Sequence, residues 1–440
     1  MRFLSDEARG SLALLGKWLI VAFLGGVFGS IVANSFLFLL ETLSSLVARL
    51  RLPGFLLPAL GAIIVGNALY ALEPEASGEG IPSYIRAVNQ RGGFLRLRST
   101  LFKYLAALLT LSFRGSGGVV GPTCRVTAGL MSNVSGLLER AGFSKGERRI
   151  AAICGVSGTL GSLLHAPLGG GIFAVEILAQ SAMSYRDLFP SILASSFSFI
   201  ISRALGFGPV YKAEAPPQLM EMRYFGWLVA VGVMCGATGV FFVSVYESIS
   251  SLLRRLKRLR LMTLVGGMAC GLISIVTVDV LGAGLDVTGH LFQGRYHKLS
   301  LYGLFGEHIA LLALTLIILK ILATSFTIGS GLSAGFTGPT ILLGVLVASI
   351  AIHLSGADPG SPAFYSLLAA GISGMLASVM NVPIAGAVIS AEILGLSYSF
   401  PAAWGSIISF QIAKHRVIYT YSGPRSRTPP IWSAGFEGRA

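Results

Sequence analysis

The chain is short of charge. Only 12% of its 440 residues are Asp, Glu, Lys or Arg, about half the share usual in soluble domains, and this shortage excludes an ordinary soluble protein. Acidic residues are the scarcer sign: 19 Asp and Glu stand against 33 Lys and Arg, a net charge of +14. Cysteine is limited to Cys124, Cys154, Cys235 and Cys270 in apolar surroundings without C-x-x-C spacing, which excludes a disulfide framework or zinc ribbon and leaves inert core residues. His290, His297 and His308 lack any recognised ligand spacing, so no metal is expected, and no motif calls for a cofactor. No serine pairs with a histidine or aspartate in apolar surroundings, so an intramembrane enzyme lacks its base and stands as a remote alternative. Basic residues are not interleaved with aromatics and no nucleic-acid fold signature accompanies them, which excludes nucleic acid as the partner.

What the chain has instead is hydrophobic length. Hydrophobic residues make up 53% and the mean hydropathy is +0.76. The stretches 18–40, 53–72, 150–175, 227–245, 321–357 and 363–391 contain no Asp, Glu, Lys or Arg, and each is near or beyond the roughly 20 residues that span a bilayer. Several are too rich in Gly, Ser and Pro to form one plain helix. With 56 glycines in the chain, short, tilted and broken helices packed through small residues are expected. Positive charge falls in three clusters: Arg86, Arg91, Arg96, Arg98 and Lys103; Arg254, Arg255, Lys257, Arg258 and Arg260; and Lys414, Arg416, Arg425, Arg427 and Arg439. The positive-inside rule makes these cytoplasmic loops and a cytoplasmic C-terminus. Asp6 and Glu7 precede an apolar run too long for a signal-peptide core, so the first span is read as retained.

In order, the pattern predicts a helix over 12–47, a second over 54–72, a turn-rich patch at 73–82, and a helix over 100–113 leading into FRGSGGVVGPTCRVT at 113–127. From there a helix runs to about residue 140. Ser144-x-x-Glu147 reads as a capping box opening a helix that continues through 155–178. Residues 207–222, with three prolines and no long apolar run, read as a connecting loop. The chain is thus a single membrane domain over 1–440, with repeat one at about 12–206, repeat two at about 223–415 and a short tail at 416–440.

Internal repetition is the strongest signal. GVSGTLGSLLHAPLGGGIFAVEIL at 155–178 aligns without a gap to GISGMLASVMNVPIAGAVISAEIL at 371–394, with ten identities in 24 positions. Gly118-x-x-Gly121-Pro122-Thr123 recurs as Gly335-x-x-Gly338-Pro339-Thr340. Proline opens helices without loss, because the first turn has no use for its missing donor. Each motif is therefore read as a helix start inside the membrane, and a helix start offers free N–H groups and a positive dipole end to an anion. Paired broken helices of this kind build transport sites near the bilayer midplane. The reading is anion permeation.

At these motifs the chain resembles the CLC family of chloride channels and proton-coupled chloride transporters, over nearly its whole length. Gly78-Glu79-Gly80-Ile81-Pro82 is similar to the family's GSGIP, Gly118-Val119-Val120-Gly121-Pro122 to GREGP, and Gly335-Phe336-Thr337-Gly338-Pro339 to GxFxP. Tyr419 corresponds to the tyrosine lining the family's central anion site. The resemblance implies an all-α polytopic membrane protein: two inverted repeats of about eight helical segments each, with broken helices meeting at a central anion site. It implies a homodimer with one pore per subunit in the lipid bilayer, chloride or a similar small anion as the permeant species, and a bacterial or archaeal inner membrane. The anion site is expected from backbone N–H groups near Val119, Val120 and Gly121 in one half and Phe336 and Thr337 in the other, with Glu79, Gly80 and the Tyr419 hydroxyl beside them. Helix dipoles, without a buried Lys or Arg, are expected to hold the ion.

Four departures from the family pattern bear on mechanism. Val120 stands where the external gating glutamate is usual and Ile177 where the internal proton-transfer glutamate is usual. Glu79 replaces the central-site serine, and Phe336 comes one position early with Thr337 in its place. These favour passive, channel-like conduction, with a proton-coupled antiporter using Glu79 as its titratable group as the alternative. Glu79 itself is either a solvated charge at the cytoplasmic mouth or an inner gate that opens on protonation. Glu176 and Glu392, equivalent in the two repeats, read as structural residues at a helix end or contact. His165 reads as a hydrogen-bonded core histidine, and Lys212 and Glu214 as solvated loop charges.

Overall fold

The computed structural model describes residues 6–139, 147–178, 183–217 and 220–419. The Ser144 capping pattern and nearly all of the expected tail lie outside these residues. Eight principal helices form the first half: α1 (Asp6–Arg49), α2 (Leu57–Ile64), α3 (Ile81–Gln90), α4 (Leu97–Ser112), α5 (Val120–Leu138), α6 (Glu147–Leu164), α7 (Pro167–Glu176) and α8 (Tyr185–Ala204). Eight more form the second: α9 (Phe225–Arg254), α10 (Leu259–Val276), α11 (Leu285–Phe292), α12 (Ile309–Gly329), α13 (Thr337–Ser355), α14 (Pro362–Met380), α15 (Pro383–Leu394) and α16 (Ser399–Ala413). Each helix of one half has its counterpart eight places later. Among the described residues no strand forms, and seven segments are long and apolar enough to cross a membrane. The protein is a multi-pass membrane protein built from two inverted repeats.

Two sequence expectations need correction. The helix expected through 155–178 is two helices, because His165 takes a left-handed φ of +51° and Pro167 then opens α7. The second repeat breaks in the same way, with Asn381 at φ +59° before Pro383. His165 stacks edge-on to Phe199 with ring centroids 5.3 Å apart, but its buried Nε2 has no hydrogen-bond partner among the described residues, so it is packed on that side instead of bonded. The span expected over 54–72 forms as one helical run of 19 residues, in which a π turn at Val65–Leu69 follows α2.

Small residues set the spacing between helices. A methyl placed on Gly371 of α14 would lie 2.2 Å from the Gly344 carbonyl oxygen of α13, far inside contact distance, so these two backbones touch because neither position has a side chain. The halves are locked by a reciprocal exchange of caps. Glu176, ending α7, accepts from Ile384 N at 3.0 Å and Ala385 N at 2.7 Å in the first turn of α15. Glu392 in α15 accepts from Leu168 N at 2.9 Å and Gly169 N at 2.8 Å in the first turn of α7. Each carboxylate thus satisfies amides that a helix start leaves unpaired.

A glutamine at either position keeps one acceptor and turns an NH2 group toward the other amide. Hydrogen bonds to charged groups contribute about 1.5–3 kcal/mol each, so Glu176→Gln or Glu392→Gln should lower the melting temperature in detergent. Combining them should lower it further. An unchanged melting curve for the double variant would show that the exchanged caps contribute nothing to stability.

Candidate functional site

The two repeats meet at Gly118 and Gly335, whose amides and carbonyls bond reciprocally, Gly118 N to Gly335 O at 2.6 Å and Gly335 N to Gly118 O at 2.7 Å. This contact sets the first turns of α5 and α13 side by side. The loop before α3 joins them, since Gly78 N donates to Gly331 O at 2.7 Å and Gly80, at φ +145°, turns the chain into α3. Three helix starts therefore surround one point.

Glu79 fills that point. Its Oε2 accepts from Ile81 N at 2.6 Å and its Oε1 accepts from the Tyr419 hydroxyl at 3.3 Å. A methyl on Gly121 would fall 2.0 Å from Oε1, so glycine there is what admits the carboxylate, and the Phe336 amide faces it as well. Glu79 is only 5% exposed. Of the two expectations for this residue, the solvated mouth charge does not describe the structure.

The other expected residues fall as follows. Val119 precedes and Val120 begins α5, both buried; Phe336 precedes and Thr337 begins α13, also buried. The Phe336 ring lies 6.3 Å from that of Tyr419, 4.9 Å from Tyr246 and 5.9 Å from Phe242. The Thr337 hydroxyl has no partner among the described residues. Ile177, buried after α7, makes none of the contacts around Glu79. A cavity of about 340 Å³ leads to Glu79 and Tyr419 and is lined by Arg86, Arg91, Arg96 and Arg125. These four arginines make it a basic mouth.

Buried cations were missed by the sequence reading, which counted Lys103 among loop charges and expected dipoles alone. Lys103 is buried within α4, and its Nζ donates to Ala76 O at 3.0 Å, to Ser77 O at 3.3 Å and to Gly78 O. Lys320 is its counterpart in α12, donating to Val280 O at 3.0 Å ahead of α11. Each lysine stands nineteen residues before the proline of its repeat's helix-start motif, Pro122 or Pro339. That common spacing was the available signal. Carbonyl oxygens take the place of a bonded carboxylate around each of these buried amines.

Residues 63–414 match the family model described as voltage gated chloride channel. The chain belongs to that family. Among curated proteins, this CLC chain is 30% identical over 348 residues to an uncharacterized protein of Methanocaldococcus jannaschii, covering 79% of the chain and 82% of that protein. It is 24% identical over 426 residues to a chloride/fluoride channel protein of Pseudomonas syringae pv. tomato, covering 95% and 89% respectively. Among solved structures, a CLC-type fluoride/proton antiporter superposes with a TM-score of 0.76 at 19% identity over 96% of this chain and 99% of the other. The fold and the family are therefore those of CLC anion transport, a class that includes channels and proton antiporters.

Proposed function

We propose that this CLC protein conducts a small anion, chloride or fluoride, passively through the point where α3, α5 and α13 begin, with Glu79 as an inner gate. The observation that carries this reading is the Glu79 carboxylate, bonded to Ile81 N and the Tyr419 hydroxyl where a free anion would find the same donors. A tethered anion in that place must leave before a mobile one enters, and protonation is the simplest way to weaken its hold. Backbone and hydroxyl donors then bind the mobile ion without a bonded cation, weakly enough for release. The working unit is proposed as a homodimer with one pore per subunit, in a bacterial or archaeal inner membrane. The two repeats, about 12–206 and 223–415, would supply the two sides of each pore.

Coupled exchange is the second reading, and one observation favours it: a titratable side chain, Glu79, lies where the three helix starts meet. Against it, Val120 and Ile177 carry no proton. In proteoliposomes with a chloride or fluoride gradient and a proton-sensitive dye, the anion should run down its gradient without moving protons against theirs. Uphill proton movement driven by the anion would replace passive conduction with exchange, and hydrolysis of a membrane substrate without flux would remove transport altogether.

A further inference from the structure

We infer that the cytoplasm-facing cavity binds an oxyanion on Arg125, at a side-chain site separate from the backbone-built one that Glu79 fills. Arg125 lies one turn beyond Gly121 in α5, on the cavity wall, and is only 4% exposed. Its Nε donates to Ser83 Oγ at 2.8 Å, Nη1 to Thr100 Oγ1 at 3.0 Å and Nη2 to Ser99 Oγ at 3.2 Å. All three acceptors are neutral hydroxyls, so they orient the guanidinium without cancelling its charge.

No described carboxylate forms an ion pair with it. Glu75, whose charge reaches Arg125, is itself 3.6 Å from Arg96, and Glu79 is held by Ile81 N and Tyr419. A guanidinium buried without a paired anion is costly, and the side of Arg125 that meets the cavity is where an anion can supply the missing charge. Five N–H groups belong to an arginine. Three are engaged here, which leaves one on each terminal nitrogen to donate to the oxygens of an oxyanion.

The cavity, at about 340 Å³, is roomy for phosphate or sulfate. Exposed Arg86 and Arg91 on its wall draw polyvalent anions toward it more strongly than monovalent ones. The ligand is therefore a phosphate-type oxyanion, from either free phosphate or a nucleotide. Because the cavity leads to Glu79, a bound oxyanion obstructs the inner mouth, and cytoplasmic phosphate slows halide flux. That last consequence rests on the proposed function; the binding itself does not.

Titration of the full chain in detergent with inorganic phosphate, without chloride, should show binding that Arg125→Gln weakens at least tenfold and Arg125→Lys, which keeps charge but not the guanidinium, restores in part. Equal affinity in wild type and Arg125→Gln, or no binding by the wild type at millimolar phosphate, would overturn the site. Wild-type crystals soaked in selenate provide a measurement independent of any variant's folding: a selenium anomalous peak in hydrogen-bond range of Nη1 and Nη2 is expected, and its absence there also overturns the site. ATP binding more tightly than phosphate assigns the site to a nucleotide's phosphates, and weaker ATP binding assigns it to free phosphate. Should liposomes show no anion flux while phosphate still binds, the transport reading fails alone.

Discussion

Replacing Glu79 by glutamine or serine should raise anion flux at alkaline pH, where the carboxylate is charged, by roughly tenfold or more and remove its dependence on cytoplasmic pH. Two like charges about 4 Å apart repel by on the order of 4 kcal/mol at an effective dielectric of 20. A mobile anion therefore cannot share the donors that Ile81 N and Tyr419 now give to the ionised carboxylate. Acid protonates the carboxylate, removes its charge and frees those donors, so wild-type flux should rise as the cytoplasmic side is acidified and fall as it is made alkaline. The route for the proton is the cavity that reaches Glu79 from the basic mouth. Glutamine keeps the shape but not the charge, and serine keeps neither. If both variants reproduce the wild-type pH profile, Glu79 is a passive lining residue and some other group gates.

Much of this architecture was legible because the controlling signals are local. Gly118-x-x-Gly121-Pro122 and Gly335-x-x-Gly338-Pro339 announce helix starts through backbone rules that need no tertiary information, and the structure places both starts in contact through Gly118 and Gly335. The symmetry of Glu176 and Glu392 marked them as structural, and each caps the other repeat's helix. What the pattern could not give was side-chain destination. Glu79 has a short path either to water or back onto Ile81 N, and the choice depends on the space left by Gly121, a residue from another helix. The helix break at His165 was marked by Pro167, as its counterpart is by Pro383, but the reading followed hydrophobic periodicity, on which a left-handed residue inside an apolar run leaves no mark. Lys103 was counted as a loop charge and Arg125 drew no reading, because charge counting along the chain does not register the carbonyls and hydroxyls that tertiary packing brings to them.

Val120→Glu should slow conduction by on the order of tenfold, because a tethered carboxylate has a high effective concentration at a neighbouring anion site. Val120 is the first residue of α5 and only 1% exposed. A carboxylate there sits at a helix N-terminus, where the dipole and unpaired amides favour the ionised form by about 0.3–2 kcal/mol. In the wild-type background the variant carries two competing carboxylates, Glu79 and the new one, and flux should be low at neutral pH. Combining it with Glu79→Ser isolates the new gate. If the new carboxylate lies on the side of the site away from the basic mouth, flux through the double variant should answer to pH on the external side, having lost its response on the cytoplasmic side. Protons should still not be pumped, since Ile177 provides no internal group to receive one. A double variant that conducts as fast as Glu79→Ser alone, at every external pH, would mean that position 120 does not face the anion's path.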